Sequence, residues 1–168
     1  MTSAMDELKA ATAAHHERLE RRVDIERHLD SRVAYRALLE RFYGFHRPVE
    51  ALLAPFAGPF APRHPALAQD IAALGGDVAG LPTATRLPEV GSLREALGVL
   101  YVLEGAALGG AVIGRMVEQH LGVRSAFFAR HGIAPRWRAF RAHAERHAPV
   151  SPRAAIRTFE DMERWLCR

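Results

Sequence analysis

The chain has 168 residues, 49% hydrophobic and 25% charged, with 23 basic against 19 acidic side chains and a net charge of +4. That length and balance fit one globular domain, residues 1–168, able to bury its own core, and the single cysteine, Cys167, excludes an internal disulfide and suits a reducing, cytoplasmic compartment. No secretory leader and no unbroken apolar run near the roughly 20 residues of a membrane span can be read; basic and acidic residues interleave, as in Glu17-Arg18-Leu19-Glu20-Arg21-Arg22, so neither membrane nor nucleic acid is an expected partner.

Helical periodicity runs throughout and nothing alternates as a strand. A first helix starts after Thr2 or Ser3, either a fair N-cap, and runs to about Arg22. After a break at 23–30, Ser31 opens a second helix through Leu38, Leu39, Phe42 and Phe45, which Pro48 should kink or end near Arg47. Pro55, Pro59, Pro62 and Pro65 mark a loop, and 64–74 reads as a short helix closed by Gly75-Gly76. Residues 76–91 read as loop, and 92–122 as a long helix from Ser92 to Gly122. A short helix at 125–130 ending at Gly132, a helix at 137–147, and a last helix opened by Ser151-Pro152 complete about seven helices. The expected fold is an all-α, single-domain multi-helix bundle.

The long helix carries Gly98, Gly105 and Gly109 on one stripe, with Gly110 and Gly114 on the neighbouring face. Each mid-helix glycine costs about 1 kcal/mol relative to alanine. Five within one helix imply that something approaches the backbone closely, either another helix or a flat ligand. On the first helix, His15 and His16 both fall on or beside the apolar stripe of Leu8, Thr12 and Leu19. Each reads either as a core histidine bonded to backbone or as a metal ligand, and the helical wheel centres His15.

Leu8-Lys9-x-Ala11-Thr12-x-x-x-His16-x-x-x-Glu20 resembles the N-terminal helix signature of the heme oxygenases. Tyr101-Val-Leu-Glu-Gly-Ala-Ala-Leu-Gly-Gly110 resembles the distal helix of the bacterial branch of that family. Phe42-Tyr43-Gly44-Phe45-His46, Trp137 with Phe140, and Phe159…Trp165-Leu166 are similar to the members found with bacterial phytochromes. The resemblance spans the whole chain, and its two main motifs lie far apart.

It implies heme sandwiched between a proximal and a distal helix, with His16, not His15, as the iron ligand. It implies that Gly105 and Gly109 let distal backbone cover the open face, with Ala106 and Gly110 beside them and Glu20 near the ligand histidine. Lys9, two turns or about 10 Å before His16, is implied as a propionate partner, with Arg138 and Arg141 as candidates for the other propionate. The implied reaction is the opening of heme to biliverdin, carbon monoxide and ferrous iron, with oxygen and electrons from a ferredoxin or flavin reductase, and a phytochrome as a candidate bilin acceptor. Ala106 stands where animal enzymes carry an aspartate, which leaves proton delivery unassigned and supports the alternative of a non-catalytic heme-binding carrier. A thiamin-degrading enzyme on the same fold would need a buried cysteine nucleophile, and Cys167 is too near the end of the chain. A plain interaction module would make the glycines packing alone. Glu104, the nearest acid, is expected to face another helix or solvent.

Overall fold

The computed structural model describes residues 2–129, 131–147 and 149–168, with no strand among them. Six α-helices form: α1 Ala4–Val23, α2 Arg32–Leu53, α3 His64–Ala73, α4 Leu93–Leu121, α5 Ile133–Arg146 and α6 Pro152–Leu166. The serine caps do what their position suggests. Ser3, Ser31, Ser92 and Ser151 each accept a first-turn backbone N–H, which would otherwise go unpaired. The α4 helix ends at Gly122, whose φ of 65° a side-chain-bearing residue rarely adopts. A single 3₁₀ turn, Ile25–His28, fills the break after α1.

Three local expectations need correction, each for a physical reason. Pro48 does not end α2, which continues to Leu53. Proline removes the N–H that would bond the Gly44 carbonyl, but Ala84 N–H, from the loop after α3, donates to that oxygen at 2.8 Å. A Cβ at Gly44 would collide with the Pro82 carbonyl and the Trp165 ring, so glycine lets this loop reach the helix. The second correction is at 125–130, where residues 125–129 form a turn and Arg130 lies outside the described residues. Buried Asp70 on α3 accepts from Ser125 Oγ at 2.7 Å, Ala126 N–H at 2.6 Å and Phe127 N–H at 3.0 Å, while Ser125 Oγ accepts from Phe128 N–H. Side chains therefore satisfy the amides that would start a helix. Third, α5 begins four residues before the expected 137, because Pro135 lies in its first turn, where no N–H is needed.

Packing places α6 at the centre. Its inner face, with Ala155, Phe159, Met162, Trp165 and Leu166, is buried against α1, α2 and α4. Both α1 and α4 pack on α6 and α5, and not closely on each other. A gap between α1 and α4 follows, floored by α6 and walled by α5. A second cluster joins α2 and α3 to Phe127 and Phe128. The α4 helix is long and apolar enough to cross a membrane, although no unbroken apolar run showed it, but more than half of its apolar stretch is buried against the other helices.

The buried Glu50 carboxylate ties α2 to the loop before α3. It accepts from His46 Nδ1 at 2.9 Å, His64 Nδ1 at 2.6 Å, and the backbone N–H groups of Arg63 and His64. Burial by itself pushes this carboxyl up, but the His46 bond and charge together with the two backbone donors outweigh it and hold the pKa at about 2. A depressed carboxylate pKa stabilises the fold above the unfolded-state value near 4.5 and loses that contribution as pH falls toward 2. The contribution is on the order of 3 kcal/mol. Glu50→Gln should therefore lower stability at neutral pH by that order and flatten the acid dependence between pH 4.5 and 2. Urea unfolding at several pH values measures both, and an unchanged acid slope would remove Glu50 from the account.

Candidate functional site

The gap between α1 and α4 is a cleft of about 430 Å³. From α1 it takes Met5, Lys9, Thr12 and His16, with Asp6, Ala13 and Glu17 beside them. These positions follow one another at helical spacing and share a face. Thr12 is buried, its hydroxyl donating to Leu8 O at 2.7 Å, so it lines the cleft without presenting a free donor. From α4 come Tyr101, Val102, Gly105, Ala106 and Leu108; from α5, Trp137 and Arg141; and from α6, Phe159.

The two histidines part company here. His15 turns to α6, with Nε2 3.8 Å from Glu160 Oε1 and a buried Nδ1 that has no hydrogen-bond partner among the described residues. His16 lines the cleft, its ring edge-on to Phe159 at 5.9 Å between centroids. Its side chain is half exposed, and Nε2 lies 3.4 Å from Glu20 Oε1. The wheel centred His15 because the apolar stripe of α1 points at α6; the cleft lies at that stripe's edge.

The glycines of α4 also divide. A Cβ at Gly98 would collide with the Ser151 carbonyl and press on Ala154, where α6 begins. A Cβ at Gly110 would press on the Phe128 ring at 3.1 Å, and one at Gly114 would collide with the Phe128 carbonyl. Gly105 and Gly109 differ. Among the described residues, a Cβ at Gly105 would meet only the Trp137 ring, at 3.7 Å, and one at Gly109 would meet nothing within 4 Å. Two of the five glycines thus have room for a side chain, Gly109 over open space and Gly105 beside the Trp137 ring. Gly110 faces away from the cleft, toward Phe128. Arg138 is exposed and, like Glu20, is not among the cleft-lining residues, whereas Arg141 is.

Glu104 faces α5, as one of the two expected alternatives had it. It is 3% exposed and accepts from Arg136 Nε and Nη2, each at 2.6 Å, while Arg136 Nη2 also donates to Ala61 O. The hydrogen bonds to Glu104 raise the Arg136 pKa despite burial. A second cleft, of about 370 Å³, lies on this side of α4, lined by Glu50, Arg63, Glu104 and Arg136 among apolar side chains. Its carboxylates are paired within the protein. The α1–α4 cleft instead combines a half-exposed imidazole, two exposed cations, an aromatic wall and the uncrowded Gly105 backbone, which suits a flat, anionic, metal-bearing ligand. Sequence reading did not single out Asp6, Glu17 or Phe159 as lining residues. The signal for the first two was their spacing of three and one residues from Lys9 and His16.

A family model described as "Heme oxygenase" matches residues 2–155. Among solved structures, the NO- and CO-bound heme oxygenase from Neisseria meningitidis matches with a TM-score of 0.75 and 24% identity, over 99% of this chain and 87% of that one. That likeness establishes the fold. No curated protein matches the sequence.

The division of the glycines is testable without any ligand. Gly109→Ala should stabilise the ligand-free protein by up to about 1 kcal/mol, the ordinary helix gain. Gly98→Ala should destabilise it by roughly 1–3 kcal/mol, through overpacking against Ser151. Thermal unfolding of the two variants measures this, and equal effects would mean that the two positions do not differ.

Proposed function

The chain belongs to the heme oxygenase family, and on that premise we propose that it binds heme between α1 and α4 and opens it to biliverdin, carbon monoxide and ferrous iron. The observation that carries this reading is the uncrowded backbone at Gly105, which lines a cleft that His16 lines from the other side, with Gly109 open one turn further along α4. Two glycines that cost helix stability, and at which no close backbone approach requires glycine, point to an external partner that fits against flat backbone.

When bound, heme supplies both the oxygen-activating centre and the ring that is opened, so the protein contributes position and electrostatics. The His16 imidazole would hold the heme iron, and Glu20, with Oε1 3.4 Å from its Nε2, would orient the ring. Gly105, with Gly109 one turn on, would keep side chains off the heme on the α4 side of the cleft and so leave room there for oxygen. Lys9 and Arg141, on either side of the cleft, take the propionates. Phe159 and Val102 close its floor against water. Electrons come from a ferredoxin or a flavin reductase, the chain acts as one cytoplasmic domain, and a phytochrome is a candidate acceptor of the bilin.

A non-catalytic heme carrier is the second reading, favoured by Ala106: none of the cleft-lining residues of α4 is an acid. The two readings separate when purified protein is mixed with hemin and then with ascorbate under air. The enzyme converts the hemin spectrum to that of a bilin, and a carrier keeps it.

His16→Ala should lose the histidine-ligated spectrum and turnover, while His15→Ala keeps both; the reverse pattern would move the ligand by one residue. Lys9→Ala should weaken hemin binding by about 1 kcal/mol, less than a buried charge pair because the side chain is exposed. Arg141→Ala should act similarly and Arg138→Ala hardly at all. Hemin titration of the three variants measures this, and a large loss confined to Arg138→Ala would reassign the propionate partner.

A further inference from the structure

The in-plane seating of a disc held by one axial bond must be set by something at its edge. Lys9 and Arg141 are exposed, long and solvent-screened, so they bias rotation about that bond without blocking it. The α5 helix adds a rigid element. Arg136 is held on buried Glu104 by two hydrogen bonds and on Ala61 O by a third, which fixes the register of α5 against α4. The next residue on each helix then meets its counterpart, Trp137 against Gly105. The Cζ3 and Cη2 atoms at the six-membered end of the indole are the atoms that a Cβ at Gly105 would approach. Phe140 stacks on the indole at 5.6 Å and 29°, and Tyr101 leans on it at 5.9 Å and 50°. Two aromatic neighbours therefore hold one orientation of a side chain that lines the cleft. The other tryptophan serves the core. Trp165 Nε1 donates to Arg41 O, whereas Trp137 Nε1 has no protein acceptor among the described residues.

We infer that Trp137 is a specificity-determining side wall, whose indole edge restricts heme to one rotational seating and so selects which bridge carbon of the ring is opened. This rests on the proposed function. Residues that merely bind heme would leave the seating to propionate contacts alone. Trp137 sets it by shape, and Glu104–Arg136 acts as the positioning pair behind it.

The test is proton NMR of the ferric, cyanide-ligated hemin complex, in which the shifted ring-methyl resonances report each in-plane seating separately, together with chromatography of the biliverdin isomers. The wild type should show one dominant set. Trp137→Ala should raise the minor seating roughly tenfold relative to the major one and change the isomer ratio in parallel. Trp137→Phe keeps a ring on Phe140 while removing the atoms that face Gly105, so it covers the case in which the alanine variant does not fold; it should shift the same populations by a smaller factor. A wild type that takes up no hemin overturns the proposed function and this inference with it. A wild type that binds hemin in one seating, with the same single seating in every variant that folds, overturns the wall alone, as does a wild type already divided between seatings.

Discussion

The fold turns on how α4 is held. Near its first third the Gly98 backbone lies against the Ser151 carbonyl, and near its last third the Gly114 backbone lies against the Phe128 carbonyl. A side chain at either point would force the helix away. Between these two points, sixteen residues apart, Gly105 lines the cleft and α4 does not pack closely on α1. Two backbone-to-backbone approaches thus hold a helix in place while its middle stays bare. The first anchor depends on the Ser151 cap that opens α6. The second depends on Asp70, which shapes the turn that carries Phe128.

The rest of the molecule sets the two remaining sides. Both α1 and α4 rest on α6, which fixes how far apart they stand. Arg18 and Arg22 on α1 share the buried Glu163 carboxylate of α6, at 2.8 Å for each closest contact, and draw its pKa down. The Glu104–Arg136 pair then fixes α5 along the edge of the cleft. A buried carboxylate paired in this way adds little net stability over apolar packing, but losing its partner leaves the charge uncompensated, so these pairs serve geometry more than stability. The same logic applies to Glu50, where four donors converge on one carboxylate to join α2 to the loop before α3.

Much of this was legible in the sequence wherever the cause was local. Serine caps, Gly122 and the apolar period placed most helix boundaries within a few residues. The motif register pointed to the cleft face of α1, and the five glycines marked α4 as a helix approached at close range. What stayed hidden came from distant residues. Ala84 takes the carbonyl that Pro48 leaves free. Asp70 lies 55 residues before the turn that it shapes, so a stretch with helical composition does not become a helix. The glycines looked alike in one dimension, yet Gly98, Gly110 and Gly114 are packing positions and Gly105 and Gly109 are not. The wheel favoured His15 because it reports the average apolar direction, which here is the direction of α6.

The central claim is that the open backbone at Gly105 and, one turn on, at Gly109 exists for a flat ligand, and hemin titration of Gly109→Leu set beside unfolding of the same protein without ligand tests it most directly. A leucine there meets open space in the free protein, so stability should hold or rise while hemin affinity falls by at least about tenfold, or 1.4 kcal/mol. Unchanged hemin affinity, or an equal loss of stability in the free protein, would contradict the account and return the glycine to helix packing.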